Sequence, residues 1–422
     1  MCCKTADSGS YGECFAMKHR IEIARRLVVC VFAAASLVLG GCLPERIDGA
    51  RAADVTFDYH IDKTNYSTMR STTPLHIREQ VGSAISVDAD VIMPETVAAS
   101  VYCAEPAFSV ERLREIESFL PDDVVLEKFE TTTADSAYWK LENFAEAQCK
   151  ASNGGLITIA CDYVGLMPDA FVARFDGVDY GACNSELGPP YAKAELSGFP
   201  SDDAKQEVLD FLKAIGADNV LSIEAYAMSA NAMQQAKGQY VEEMIESYRE
   251  LDDYESGAYA QEIADLEKTA EIRYGIEDEM YSVHVLFEEE GVPLNTLNYG
   301  NRLGMEAGAS KVGQSYLHAY VGKNGIQFID SMNLLRKGSA LEDAAGSESL
   351  ISLDEALGAL AARFGSVVHT DTTRIDQASL EYCALIDPDS ETGVVLVPAW
   401  VFRNAEDPDY GIRISALTGE VI

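Results

Sequence analysis

The sequence predicts an α+β protein: antiparallel sheets, each packed by helices, in repeated helix-plus-meander units with one helical arm. Three observations lead there. Ile85–Val91 alternates apolar and polar residues, the period of a half-buried strand. Val208, Phe211, Leu212 and Ile215 recur at helical spacing, an apolar stripe with a core to face. The C-terminal segment runs one helix followed by three strands, a two-layer unit in itself.

The N-terminus carries an address. Met17-Lys18-His19-Arg20 opens a basic stretch reaching Arg26; an apolar run, Leu27–Leu39, follows and ends at Leu39-Gly40-Gly41-Cys42. A basic region, a short apolar region and small residues before the cut define a secretory signal. The run falls short of the roughly 20 residues a spanning helix needs. Leu39-Gly40-Gly41-Cys42 resembles the box read by the lipoprotein signal peptidase, with Cys42 offering its sulfur to diacylglycerol. Two acyl chains anchor stably where one is marginal. Residues 17–41 are therefore the expected signal peptide, within a non-mature stretch 1–41. Residues 1–16 fit no targeting logic, so Met17 is the expected start. The lipid bilayer, through acylated Cys42, is the first expected partner, and the outer side of the cell membrane the expected location.

The whole chain has a formal charge of −37. Residues 1–41 hold five Lys/Arg and three Asp/Glu, so the chain from Cys42 onward stands near −39. Such a charge repels phosphate backbones, which excludes nucleic acid as a partner. It favours solubility and basic partners. Aliphatic and aromatic content is too high for a disordered chain. Beyond Cys42 come Cys103, Cys149, Cys161, Cys183 and Cys383. An exported domain permits disulfides, and a bridge among the closely spaced Cys149, Cys161 and Cys183 is a candidate. Cys103 and Cys383 read as buried, inert thiols.

Residues 42–83 read as a lipidated tether that joins the core late. A first α+β domain is expected over 84–190. Strands at 85–91 and 97–103 enclose Met93-Pro94-Glu95-Thr96, a hairpin connection. A helix follows at Ser109–Leu120, stopped by Pro121, then strands at 155–164 and 171–175. A central α+β domain is expected over 191–336. Its helix starts at Ser201 or Asp202 as cap and ends at Gly216. A strand at 220–226 leads to a helical arm, 229–273, broken at Gly257. Its Met/Tyr stripe (Met233, Tyr240, Met244, Tyr248) reads as plain core. Strands at 280–287, 315–321 and 325–330 follow, the last two joined by the turn Lys323-Asn324-Gly325. Residues 337–349 look like a linker.

The C-terminal module spans 350–422. Ser352 with Glu355 forms a capping box, and Ala356, Leu357, Leu360 and Phe364 line the helix's core face. Strands follow at 378–386, 393–402 and 411–415, closed by Leu417-Thr418-Gly419-Glu420.

This last segment resembles the closing module of the YycH/YycI regulators, and PepSY modules generally. The matching residues are Ser352–Phe364, Leu380-Glu381-Tyr382, Val397-Pro398-Ala399-Trp400-Val401-Phe402 and Ile414–Val421. Over 84–422 the pattern is similar to a group of uncharacterised lipoproteins of Gram-positive gut bacteria, through Val87–Pro94, Tyr320, Asn324-Gly325-Ile326 and the Val-Pro-x-Trp strand. The resemblance implies binding or regulation beside a membrane kinase and brings no catalytic residues. Its motif residues have structural duties. Pro398 belongs at an edge or bulge, lacking a donor. Trp400 fills the layer between helix and sheet, and Thr418-Gly419 closes a tight turn in which Gly accepts positive φ.

No nucleophile, zinc or phosphate-loop motif is present, so no cofactor, metal or enzymatic activity is expected. His60, His76, His284, His318 and His369 stand singly and read as surface or strand filler. Glu288-Glu289-Glu290 with Asp252, Asp253 and Glu255 could supply a glycosidase pair, which needs two carboxylates about 5–10 Å apart. The 69 acidic residues make chance pairs common. Asp387–Gly393 superficially matches a calcium loop, but its Gly is one place late and the twelfth-position Glu is missing, so it reads as a turn.

The leading expectation is a non-enzymatic extracytoplasmic lipoprotein that binds or regulates a membrane or envelope protein, such as a sensor kinase or protease. The alternatives are a solute- or envelope-polymer-binding lipoprotein and a carboxylate-dependent hydrolase.

Overall fold

A computed structural model describes residues 63–81, 85–108, 119, 130–133, 139–140, 145–150, 156–178, 191–251, 257, 259–297, 312–341, 349–364, 373–405 and 411–422. Strands β1–β18 and helices α1–α6 below are numbered in chain order among these residues. The signal peptide, Cys42, the helix expected at 109–120 (Phe119 apart) and Cys183 lie outside them.

Two sheets carry the fold, and the α+β class holds. The larger has nine strands in the order β11 (Val292–Pro293), β10 (Met280–Glu289), β12 (Tyr316–Gly322), β13 (Gly325–Met332), β8 (Tyr163–Met167), β7 (Leu156–Ala160), β6 (Ala145–Lys150), β5 (Glu130–Thr133), with β9 (Val220–Met228) also on β10. Its pairings are antiparallel. The smaller sheet orders β14 (Leu335–Ala340), β4 (Tyr102–Pro106), β17 (Val394–Asn404), β16 (Thr373–Ile386), β3 (Ile85–Ile92), β2 (His76–Val81), with β18 (Gly411–Ser415) also on β17. β16 and β3 run parallel; the other described pairs of this sheet are antiparallel. β1 (Lys63–Asn65) pairs with β15 (Ser349–Ile351).

Each sheet buries one face under a helix. α3 (Ser201–Ile215) sets Val208, Phe211, Leu212 and Ile215, all fully buried, against Val283, Leu317 and Ile329 of the nine-stranded sheet. Pro200, not Ser201 or Asp202, holds its cap position; Glu195 instead takes the Ser201 N–H at 2.8 Å and its hydroxyl at 2.6 Å. Gly216, at φ +86°, ends the helix and turns its N–H back on Leu212 and Lys213. α6 (Leu353–Phe364) buries Ala356, Leu357 and Leu360 against Leu380, Trp400 and Ile414 of the seven-stranded sheet. Ser352 Oγ accepts the Glu355 N–H at 3.2 Å, one half of the expected capping box. A hydrophobic cluster joins the sheets, with Phe211 and Val283 on one side and Tyr382, Ala384 and Leu396 on the other. Leu294 bridges Tyr382, and Asn295 donates its N–H to the Tyr382 carbonyl at 2.7 Å.

Several expected elements are corrected. The tether is shorter than 42–83: α1 (Tyr66–Thr72) buries Met69 in the core, and β2 pairs along β3. Met93–Thr96 does not close a hairpin, because β3 pairs with β2 and β16 while β4 lies beyond β17. Residues 171–175 belong to a helix, α2 (Asp169–Phe175), entered from Pro168; helical spacing brings the Phe171 and Phe175 rings to 4.6 Å. Part of the expected linker is strand β14. The boundaries 84–190, 191–336 and 350–422 cut across both sheets: β8 pairs with β13, and β3 and β4 lie with β16 and β17. Strand partners far apart in sequence leave no local trace, so consecutive segments looked like consecutive domains.

The arm forms two helices, α4 (Ala230–Arg249) and α5 (Ala260–Thr269), with Gly257 at φ +77° between them. Its tip, Glu243–Ala264, is a separate unit by contacts and holds Tyr248 and Tyr259 ring to ring at 5.2 Å. Among the described residues no helix is long and apolar enough to cross a membrane.

Candidate functional site on the nine-stranded sheet

The nine-stranded sheet turns one face to α3. Its other face, made by the alternate residues of β9, β10, β12 and β13, is polar and aromatic. Pairing places Glu224, His284, His318 and Asp330 in one row across four strands. The next row holds Tyr226, Ser282, Tyr320 and Phe328. Ser282 Oγ lies 2.9 Å from His284 Nε2 and 2.9 Å from His318 Nε2. One hydroxyl proton serves only one of these nitrogens, so the other imidazole must donate its own Nε2–H. The two rings sit 4.5 Å apart; His318 also meets Tyr320 at 4.6 Å, and His284 meets Tyr226 at 5.4 Å.

One end of this face is roofed. Phe171 of α2 stacks on Tyr320 and Phe328 at 5.5 and 5.7 Å, and Met233 of α4 joins Met228 and Met280 in the same cluster. The other end is half open: Ser222, Leu286 and Tyr316 are partly exposed and Met332 is 48% exposed. Tyr316 donates its hydroxyl to Asp330 Oδ2 at 2.9 Å. Burial works to raise the Glu224 carboxyl, yet Lys193 at 2.5 Å and the Tyr226 hydroxyl hold it below the usual range. Burial, and then the Asp330 charge, raise the Tyr163 hydroxyl.

Burial lowers both imidazoles. His284 falls to about 4, with Glu224 opposing, and His318 falls well below its ordinary value, with His284 adding to the effect. Both are neutral at pH 7. Because the unfolded chain binds the protons more tightly, the stability these imidazoles contribute falls as pH drops below the ordinary value of 6.5, and the His284 share of that loss levels off below about 4. For His284 alone that loss amounts to about 3 kcal/mol. Urea midpoints at pH 7 and 4.5 check it: the His284→Gln variant should lose clearly less on acidification than the parent.

The single histidines thus include a pair that sequence reading missed. Both lie on strands in the polar phase of the alternation, but nothing local shows that positions 284 and 318 share a register. His76 is exposed and lies 2.9 Å from Asp90 and 3.0 Å from Asp88, which raise it above its usual value, the Asp90 hydrogen bond most. His60 and His369 lie outside the described residues, as do Asp252, Asp253 and Glu255. Glu289 and Glu290 engage Asn219 and Lys337. Asp387–Gly393 closes on itself, Asp387 Oδ1 accepting the Asp389 N–H at 2.9 Å. Among the described residues no group of three or more His, Cys, Asp and Glu is placed to hold a metal ion.

The remaining motif residues sit as follows. Cys149 on β6 faces Ile157, and Cys161 lies four residues further along β7 and its turn. That places the two Cα atoms about 13 Å apart, beyond the reach of a disulfide between them. Cys103 and Cys383 are buried. Pro398 lies in an interior strand, where β17 changes its outer neighbour from β4 (Val395, Leu396) to β18 (Ala399–Arg403). Its carbonyl accepts the Ala416 N–H at 2.8 Å, so its missing donor faces this break, where a strand of the interior behaves locally as an edge. Trp400 is fully buried between α6 and the sheet. Thr418 donates its N–H to Ser415 Oγ, and Gly419 turns at φ +76°.

A second polar cluster lies inside. The buried Glu381 carboxylate accepts from Ser379 Oγ at 2.5 Å, Thr296 Oγ1 at 2.6 Å and Arg403 Nη2 at 3.2 Å. It pins the segment after β11 to β16 and offers no opening. Separately, an open groove of about 1070 Å³ lies between α1 and residues 91–100, lined by Tyr66, Arg70, Leu75, Ile92 and Val97 among others.

No family model matches the chain, and no curated protein matches it. Among solved structures it is similar to an uncharacterized protein from Eubacterium rectale, at 14% identity and a TM-score of 0.49, covering 83% of this chain and 93% of that one. It is also similar to the YpeB C-terminal domain of Bacillus megaterium, at 10% identity and a TM-score of 0.28, covering 75% and 96%.

Proposed function

We propose that this chain is a lipid-anchored extracytoplasmic protein, held through Cys42, whose folded body binds a membrane or envelope protein such as a sensor kinase or protease and catalyses no reaction itself. The half-open end of the nine-stranded sheet carries this reading. The chemistry-bearing groups of the same face, Ser282 and His318, lie away from that end, buried and committed to each other, which suits a scaffold better than a nucleophile waiting for substrate. What the face offers outward is Leu286, Tyr316 and Met332 beside two carboxylates, the aromatic-plus-methionine mixture enriched at protein interfaces. The leader that ends in Leu39-Gly40-Gly41-Cys42 supports the location.

A photocrosslinking residue at Met332 of the membrane-bound protein tests it. The expected result is a crosslink to an envelope protein; absence of any crosslink from Met332 and from a comparison site at Leu75 contradicts it. The Leu75 comparison also addresses the second reading, a solute- or polymer-binding protein. That reading is favoured by the groove beside α1, whose volume suits a small ligand.

A further inference from the structure

We infer that the free edge of the seven-stranded sheet takes an extended segment of a partner polypeptide as an added strand, one of whose aliphatic side chains enters the groove beside α1. The inference deepens the second reading above: it rests on that groove holding a ligand and names the ligand as polypeptide. Among the described residues β2 is the last strand of its sheet and pairs with β3 alone, residue for residue and without a bulge. The Leu75 carbonyl accepts the Val91 N–H at 2.9 Å, which fixes the phase: Leu75, Ile77 and Glu79 turn their backbone groups to β3, while His76 and Arg78 turn theirs outward. No other described backbone group bonds to these outward ones, and the two side chains are 51% and 78% exposed. Edges are commonly blunted by proline, by bulges or by charges standing over them. β2 has no proline and no bulge, and His76 and Arg78 bend back onto Asp88 and Asp90 of β3.

The edge leads into the groove. Side chains alternate along a strand, so Leu75 and Ile77 share one face. Ile77 packs against the cluster beneath α6, and Leu75, 84% exposed, lines the groove with Ile92 and Val97. An added strand carries the same alternation. Its residues bonded to His76 and Arg78 lie over the exposed polar face, and the residues between them lie over Ile77 and Leu75. The matching segment is aliphatic at every second position and neutral polar between. A sugar polymer is gripped by stacking on flat aromatic faces, and the one aromatic ring on the groove's wall, Tyr66, is buried with its hydroxyl on the Pro94 carbonyl. A second copy of this chain would bring another charge of −37. Paired about Arg78, it would also set like charges opposite each other. The occupant is therefore a different chain, without an acidic run.

The test uses the full chain in detergent and a fluorescent peptide, Lys-Thr-Val-Ser-Leu-Thr-Lys, followed by anisotropy. Any acidic protein attracts lysine, so two N-methylated forms of equal charge decide. Methyl groups on the Thr and Ser nitrogens remove the donors that face β2 and should weaken binding about 25-fold or more. Methyl groups on the Val and Leu nitrogens face solvent and should change it less than about twofold. Leu75→Ser, at an exposed position that folding tolerates, should weaken the unmethylated peptide about tenfold. Amide exchange of the unaltered chain should show His76 and Arg78 fast and then slowed by the peptide, with Ile77 and Glu79 slow throughout. Equal binding by the two methylated peptides, no binding by the unmethylated one, indifference to Leu75→Ser, or fast His76 and Arg78 amides in the mixture overturns the inference. If a Leu75 crosslink to an envelope component is then still found, the groove reading survives and only the added strand is lost; without it, both fall.

Discussion

Arg403→Ala is expected to cost about 3–5 kcal/mol of folding free energy, because it strands a buried carboxylate. The Glu381 side chain is 2% exposed and its Arg403 partner 16% exposed. Burial works to raise the Glu381 carboxyl, but Arg403, Ser379 and Thr296 together hold it below its ordinary value. Remove the guanidinium and burial is left opposed only by neutral donors. Glu381→Gln is expected to cost less, about 1–2 kcal/mol, since a neutral amide can keep hydrogen bonds to Ser379 and Thr296 while the less buried Arg403 turns toward water. The sign with pH follows. Stability from a carboxyl lowered in the fold is present above the ordinary carboxylate range and is lost as pH falls through the lowered value. In Arg403→Ala the carboxyl can instead take up a proton, so the deficit against the parent should shrink on acidification. Urea unfolding of the three proteins at pH 7 and pH 5 measures both effects; a deficit below about 1 kcal/mol would place the charge pair outside the fold's supports.

Trp400→Ala is expected to cost about 3–5 kcal/mol through the cavity it leaves. Trp400 faces Leu380 across β16, lies beneath α6, and is fully buried. Its Nε1–H donates to the Ile351 carbonyl at 3.1 Å, tying the strand before α6 to the sheet. Trp400→Phe keeps most of the apolar area but leaves that carbonyl without its donor. Its cost should fall between the parent and alanine, at about 1–2 kcal/mol. Equal losses for Phe and Ala would assign the whole effect to the hydrogen bond.

The parts of the fold that depend on neighbours in sequence were legible. α6 with Ser352 at its cap, α3 ending at Gly216, the Asn324-Gly325 turn and the three C-terminal strands all come from local periodicity and turn chemistry. What failed was pairing at a distance. Ile85–Ile92 reads as a strand on its own, but nothing in it announces β16, nearly 290 residues later, as a parallel neighbour. The polar face failed for the same reason. His284 and His318 are ordinary in sequence and become a pair only because β10 and β12 align them. Pro398 shows the limit from the other side: the lack of a donor was read correctly, but the break in pairing it needs lies inside the sheet, where β4 gives way to β18.

Membrane attachment at Cys42 is the premise under the proposed role, since compartment and partner class follow from it. Cys42→Ser should leave the chain uncleaved and without acyl chains. The most direct measurement is the mass of the N-terminal peptide of the natural protein extracted from membranes. The expected result is a chain beginning at Cys42 with diacylglycerol on its sulfur. A chain in the soluble fraction that still carries residues before Cys42, with a free thiol there, would contradict it.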